Sequence, residues 1–111
     1  GLLKRALSFL VRKDDMSVAD FRAYWLERHA PILQSMPGLR AYSITFLDLE
    51  AGRLFPEGSS APVDGFAKMA FANEDEMKTA YASEAGLAAA RDLQNFAQSV
   101  HRVEIDETVL I

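Results

Sequence analysis

The sequence contains no cysteine, and this absence excludes several classes of protein at once. Disulfide scaffolds, thiolate metal sites and cysteine nucleophiles all need a thiol. Basic residues are also in the minority, with 12 lysines and arginines against 16 acidic residues and a formal net charge of -4. Such a chain has no positive field to hold a phosphate backbone, so we expect no nucleic acid among its partners.

Long apolar runs and recognisable targeting segments are missing as well. No stretch is long enough to cross a bilayer, and no basic segment is followed by an apolar one as in a secretory signal. We therefore expect no membrane partner and a cytoplasmic location. Histidine clusters, phosphate-binding glycine loops and nucleophile elbows are also absent, so the motifs predict neither a metal nor a nucleotide.

The length and composition of the chain predict a single domain over residues 1–111. Half of them are apolar and a quarter are charged, which is enough for a single core under a polar surface. Apolar runs and strict alternation predict four strands, at residues 7–11, 39–49, 65–72 and 101–111.

Helical patterns fall between these strands. Ser17 is the predicted N-cap of a first helix that ends near Pro37, and Asn73 is the predicted N-cap of the next. A further helical segment is predicted over residues 83–97. Residues 50–64 contain many turn-forming residues and are predicted to be a long connection.

The resulting order is β-α-β-β-α-α-β, which is the ferredoxin-like pattern β-α-β-β-α-β with its second helix divided. It predicts an α+β fold with a four-stranded antiparallel sheet and the helices on one face. A homodimer through the open sheet face is the simplest cover for that face, since an apolar patch of this extent is unusual on a monomer. The apolar or small residues predicted there are Leu10, Ala41, Ala70 and Val109 or Leu110.

The most distinctive segment of the chain runs from Phe21 to Pro31. Residues four apart share a helix face, so Phe21, Trp25 and His29 form one stripe. Pro31 removes a helix hydrogen bond, and we expect a kink or a change of helix geometry just after His29. A histidine beside a large indole needs a partner, because burying an unpaired polar ring is costly.

Two interpretations of His29 are open from the residues alone. Imidazole titrates near neutral pH and can act as a general acid or base, and burial beside Trp25 favours its neutral form. A structural histidine that satisfies a carbonyl freed by Pro31 fits the same pattern. His101 lies among polar residues at a predicted strand start, which is typical of a solvated surface histidine.

Tyr42 shares a predicted strand face with Ile44, and we expect that face to meet the helices. A buried phenol must find a hydrogen-bond partner, and both His29 and a ligand oxygen are candidates. A core tyrosine bonded to backbone is the alternative. Trp25 offers a flat wall for a ring-shaped ligand, although such a tryptophan more often belongs to the core.

These residues match a known pattern. The motif Phe21-x-x-Tyr-Trp25-x-x-x-His29-Ala-Pro31, followed by Pro-Gly-Leu and Tyr42, resembles the EthD-like family of dimeric α/β barrels. The resemblance covers about residues 5–111. It implies a ferredoxin-like monomer, a barrel formed by two copies, and a pocket between helices and sheet that often works without a metal or organic cofactor. In the related methylmuconolactone methylisomerase branch, a histidine and a tyrosine at the positions of His29 and Tyr42 line the pocket.

The resemblance implies a small-molecule catabolic protein without a cofactor, an isomerase or cyclase acting on a small, mostly apolar, cyclic or aromatic-derived compound. His29 and Tyr42 are the expected catalytic residues. Two alternatives are open: a non-catalytic accessory or ligand-binding protein of an ether or aromatic oxygenase pathway, and a haem- or oxygen-handling barrel. The predicted substrate-binding residues are Phe21, Trp25, Ile44 and Met69.

Overall fold

The computed structural model describes residues 3–47 and 63–111, and their strands form one antiparallel four-stranded sheet in the order β2-β3-β1-β4. The strands are β1 (Lys4–Arg12), β2 (Ala41–Phe46), β3 (Gly65–Phe71) and β4 (Ala97–Ile105). The helices are α1 (Val18–Tyr24), α2 (Ala30–Gln34), α3 (Glu74–Ala82) and α4 (Glu84–Asp92). A π-helical turn (Trp25–His29) joins α1 to α2, and a 3₁₀ turn (Leu93–Asn95) follows α4. This arrangement confirms the predicted ferredoxin-like α+β fold.

The two faces of the sheet follow from alternation along its strands. Leu10 is 1% exposed and lies under the helices, whereas its neighbour Phe9 points to the opposite, outer face. Phe9 is paired with Phe66 of β3 and with His101 of β4, so these side chains share the outer face. The prediction that Leu10 belongs to the outer face is therefore wrong, because it occupies the inward position of β1.

The C-terminal strand begins and ends earlier than predicted. β4 pairs with β1, and its last pair joins Ile105 to Arg5 beside the start of β1. Because β1 has almost no residues left to pair, Val109 and Leu110 lie beyond the sheet and are 74% and 88% exposed. Their prediction as strand residues on the outer face is wrong. The helix predicted over residues 83–97 likewise ends at Asp92.

Phe96 lies at the centre of an aromatic cluster that holds the first helical segment to the rest of the core. Its ring is fully buried, with its centroid 4.9 to 6.0 Å from those of Phe21, Tyr24, Trp25 and His29. Aromatic contacts of this kind stabilise a fold beyond the apolar area they bury. The cluster therefore fixes the orientation of the helix face that carries Trp25 and His29.

The second predicted strand, residues 39–49, is shorter in the structure, where β2 spans Ala41–Phe46. Residues 48–49 and most of the predicted connection 50–64 lie outside the described residues. At the described end of that connection, an Asp64 carboxylate oxygen accepts a 2.7 Å hydrogen bond from the Arg12 backbone N–H. Within residues 3–47 and 63–111, no helix has both the length and the apolar character needed to cross a membrane.

Candidate active site

The helix that carries His29 changes geometry within the turn that ends there. The Ala30 N–H donates to the Trp25 carbonyl five residues back, which makes Trp25–His29 a π turn between two α-helical segments. Pro31 follows, without an N–H and with a ring that crowds the carbonyl four residues back in a regular helix. The wider turn relieves this crowding. A change of helix geometry is therefore present as predicted, but it lies in the turn that ends at His29 and not just after that residue.

His29 is nearly inaccessible to solvent, with 3% of its surface exposed, and its ring is held by one carboxylate. Its Nδ1 lies 2.8 Å from Oδ2 of Asp92, the last residue of α4. A carboxylate only accepts hydrogen bonds, so Nδ1 carries the proton and donates it. Neutral His29 therefore has its lone pair on Nε2, the form needed for a general base.

The Asp92 carboxylate is itself fixed by two further donors. The Tyr24 hydroxyl donates to Oδ1 at 2.7 Å, and the Asn95 amide donates to the same oxygen at 3.0 Å. Partial burial raises the pKa of Asp92, but the three hydrogen bonds together outweigh it, and the pKa of Asp92 ends below its usual value. Asp92 is therefore an ionised, well-ordered acceptor for His29.

At the imidazole of His29, burial has a larger effect on the pKa than the hydrogen bond does. It lowers the pKa of His29 below the ordinary value of 6.5, and the hydrogen bond and charge of Asp92 reverse this only in part. His29 is consequently neutral at neutral pH. The pair thus provides an uncharged base with a defined tautomer next to a permanent anion.

A cavity of about 190 Å³ lies between the helices and the inner face of the sheet. Most of its wall is apolar. The polar side chains on the wall come from both layers: Ser8, His29, Tyr42, Tyr81 and Arg102. Apolar contributions include Leu10, Trp25, Leu33, Met36, Met69 and Val100. An apolar chamber with a few converging polar groups is the common form of a small-molecule site.

Tyr42 lines this cavity and carries a buried hydroxyl. Its Oη is buried and makes no hydrogen bond to any described residue. Burial raises the pKa of Tyr42 to about 12, although the nearby Trp25 side chain opposes the rise. The phenol is therefore protonated at every physiological pH and available as a hydrogen-bond donor. The possible partner His29 is not bonded to it, which leaves a ligand oxygen as the other candidate named above.

The predicted substrate-binding residues divide into two pairs. Trp25 and Met69 line the cavity with His29 and Tyr42. Phe21 does not, because it lies a turn before Trp25 and packs in the aromatic cluster around Phe96. Ile44 is also absent from the cavity wall; it packs against the core at the β2 edge of the sheet.

Sequence reasoning missed Asp92, although the chain carries a signal for it. A carboxylate in the last turn of a helix opposes the helix dipole and is unfavourable unless it has a partner. Asp92 occupies that position in α4. The partners Tyr24 and His29 are more than 60 residues away in sequence, and no local pattern connects them.

A family model described as the EthD domain matches residues 13–99. The chain belongs to the EthD family. This confirms the resemblance drawn from the motif around Trp25 and His29. No functionally curated protein matches the sequence.

Solved structures with the same fold are remote from this EthD-family chain in sequence. An EthD family protein from Bacillus halodurans has a TM-score of 0.76 at 17% identity, covering 96% of this chain and 100% of the other. A dimeric ferredoxin-like protein of unknown function from Thermobifida fusca has a TM-score of 0.66 at 16% identity, covering 96% and 92%. SnoaB, a cofactor-independent oxygenase from Streptomyces nogalater, has a TM-score of 0.62 at 13% identity, covering 99% and 98%. Likeness at these identities shows the fold alone.

Metal ligands are not clustered in the part of this EthD-family chain that the structure describes. Within it, no group of three histidine, aspartate or glutamate side chains is close enough together to hold an ion.

The pKa of His29 can be measured directly in this EthD-family protein. We expect the His29 imidazole to titrate below 6.5, and Asp92→Asn to lower its pKa further, since the carboxylate favours the protonated ring. The folded pKa is below the unfolded one, so stability is lost as pH falls from 6.5 toward the folded pKa. NMR titration measures the His29 pKa in the wild type and in Asp92→Asn, and the signal that is missing in His29→Gln identifies the imidazole of His29. An unchanged or higher pKa in Asp92→Asn contradicts the assignment.

Removal of the hydroxyl from Tyr42 and from Tyr24 should change the stability of the protein in opposite directions. Tyr42→Phe removes a buried hydroxyl that makes no hydrogen bond to any described residue, so we expect the free energy of unfolding to rise by about 1 kcal/mol. Tyr24→Phe removes the hydrogen bond to Asp92, so we expect a fall of about 1 kcal/mol. Urea unfolding of the two variants checks the pair. Equal destabilisation would mean that the Tyr42 hydroxyl is satisfied in solution.

Proposed function

We propose that this protein is a cofactor-independent catabolic enzyme that isomerises or cyclises a small cyclic or aromatic-derived compound by proton transfer. The observation that carries the proposal is the shared cavity. It brings together a neutral histidine, oriented by Asp92, and a buried tyrosine hydroxyl that has no partner among the described residues. A base and a separate hydrogen-bond donor facing one apolar space are the groups that proton abstraction beside a carbonyl requires.

The proposed chemistry assigns one role to each group. Nε2 of His29 removes a proton from a ring carbon next to a carbonyl, and the negative charge moves to the carbonyl oxygen. The Tyr42 hydroxyl donates a hydrogen bond to that oxygen, where the charge develops. The imidazolium, stabilised by Asp92, returns the proton to a different carbon. The product is an isomer, and no electron leaves or enters the substrate.

The size of the cavity supports a small ring as the substrate. A dry protein cavity of roughly 150 Å³ can hold benzene. About 190 Å³ therefore suits one ring with a few substituents, and it is too small for the four-ring plane of a haem. Trp25 and Met69 supply flat and adaptable apolar walls.

We further propose that the protein works as a homodimer formed through the outer sheet face. Solved proteins of this fold are described as dimeric. The rings of Phe9 and Phe66 are in contact on that face, with their centroids 5.7 Å apart and their planes tilted by 47°, and Val103 on the same face is 39% exposed. Lys68 and Glu107 form a 2.8 Å ion pair nearby, suited to the polar rim of an interface.

Turnover of an unsaturated five-membered lactone tests the catalytic proposal. In D₂O, we expect the wild-type protein to accelerate both double-bond migration and deuterium incorporation, as followed by NMR. His29→Gln should reduce the rate at least 100-fold, since general-base catalysis contributes about that much. Tyr42→Phe should reduce it about 10- to 100-fold, because one donor to the developing oxyanion is lost.

His101→Gln is the matched control, because this histidine lies on the outer face and not on the cavity wall. It should leave the rate unchanged. Equal rates for wild type and His29→Gln would rule out the acid–base role. Binding of ring compounds without any exchange would favour the ligand-carrying accessory protein instead.

A charge placed in the outer face tests the dimer. We expect Phe9→Glu to shift the protein from dimer to monomer in sedimentation velocity, because two buried carboxylates would face an apolar surface. Leu87→Glu is the control, since Leu87 is 51% exposed on α4 and lies on the helix side. A Phe9→Glu protein that remains a folded dimer would place the interface elsewhere.

A further inference from the structure

Arg102 is the one cationic side chain on the described cavity wall, and the proton-transfer mechanism does not use it. It projects from β4 on the inner face, where its pairing partner in β1 is Ser8. Residues paired in this way have adjacent side chains on the same face of a sheet. Both line the cavity, and Arg102 is solvent-exposed, so the pair lies where the chamber meets solvent.

The Arg102 guanidinium is held in place by its flat face. It lies over the Tyr81 ring, with its central carbon 4.0 Å from the ring centroid. The Tyr81 hydroxyl in turn donates to the Met69 sulfur at 3.3 Å, which fixes the ring. Stacking of this kind orders an arginine while leaving its N–H groups free at the edge.

Those N–H groups have little to bind within the protein. In the described ranges the side chain makes one hydrogen bond, from Nη2 to the Met77 sulfur at 3.4 Å, and sulfur is a weak acceptor. No described carboxylate lies within 4.0 Å of the guanidinium. The nearest candidate in sequence, Glu104, is bound to Lys4 at 2.8 Å. Among the described residues, the Arg102 guanidinium therefore has no carboxylate in direct contact; the pKa of Glu104 is lowered mainly by its bond to Lys4, and the charge of Arg102 helps to lower it.

We propose that Arg102, assisted by the Ser8 hydroxyl, binds a carboxylate group on the substrate, and that the substrate is an apolar ring bearing such a group. This deepens the function proposed above and rests on it. The planar guanidinium matches a carboxylate through two parallel hydrogen bonds. The ring enters the apolar chamber, and the carboxylate stays at the solvent edge, so neither charge is stripped of water. Arg102 therefore selects ring acids over neutral rings.

Binding of phenylacetate and phenylacetamide separates the charge from the shape of a ligand. The two molecules differ only in having a carboxylate or a neutral amide. Trp25 is the sole tryptophan and lines the cavity, so its fluorescence reports occupancy of that space. We expect phenylacetate to bind about tenfold more tightly than phenylacetamide, as one partly exposed charge-assisted pair provides.

Substitution of Arg102 should remove the preference for phenylacetate over phenylacetamide without preventing the binding of either ring. Arg102→Gln should weaken phenylacetate about tenfold and leave phenylacetamide unchanged, whereas Arg102→Lys should keep part of the preference because the charge remains. Arg91→Gln is the control, since Arg91 is exposed on α4, outside the cavity wall, and its loss changes the net charge equally. Circular dichroism confirms that each variant is folded.

The outcomes distinguish this proposal from the function on which it rests. If both ligands bind equally to wild type and Arg102→Gln, the cavity holds rings but Arg102 does not select acids, and the proposal is wrong. An equal loss in Arg91→Gln would indicate a general effect of charge and would also overturn it. If neither ligand changes the fluorescence of Trp25, the cavity does not bind ring compounds, and both proposals fail together.

Discussion

The hydrogen bond between His29 and Asp92 joins two distant parts of the chain and sets the state of the imidazole in the candidate site. One partner ends the π turn of the first helical segment, and the other ends α4. The bond holds these two segments over the cavity, and it also decides which ring nitrogen is free. The protonation state of the site therefore depends on this contact, because a carboxylate placed elsewhere would leave the imidazole without a defined tautomer.

Tyr42 shows that the site is not built for stability alone. Its hydroxyl is buried and has no partner in the part of the chain that the structure describes, a state that costs free energy and is rare in folded proteins. Packing of the aromatic cluster around Phe96 and of the sheet stabilises the surrounding core and offsets this free-energy cost. A buried hydrogen-bond donor without a partner on a cavity wall is typical of a binding site for an oxygen-bearing ligand.

Sequence patterns predicted the element order, the sheet and the stripe from Trp25 to His29, because these depend on local periodicity and on the unusual position of Pro31. They failed where partners are distant. The prediction for Leu10 is wrong because a short apolar run does not show which of its residues face inward. Val109 and Leu110 have strand-like side chains, but β1 offers them no backbone to pair with. Asp92 could be found only through the fold, since its partners come from another helix.

The π turn between α1 and α2 has a consequence for how the family's signature segment tolerates length changes. A π turn is equivalent to an α-helix with one residue inserted. Each residue of an α-helix rotates the following side chains by about 100°. Deleting one residue between Trp25 and His29 would relax the turn to regular helix and would leave the two rings three residues apart instead of four, which changes the angle between them around the helix axis. The extra residue thus sets the angle between Trp25 and His29 around the helix axis.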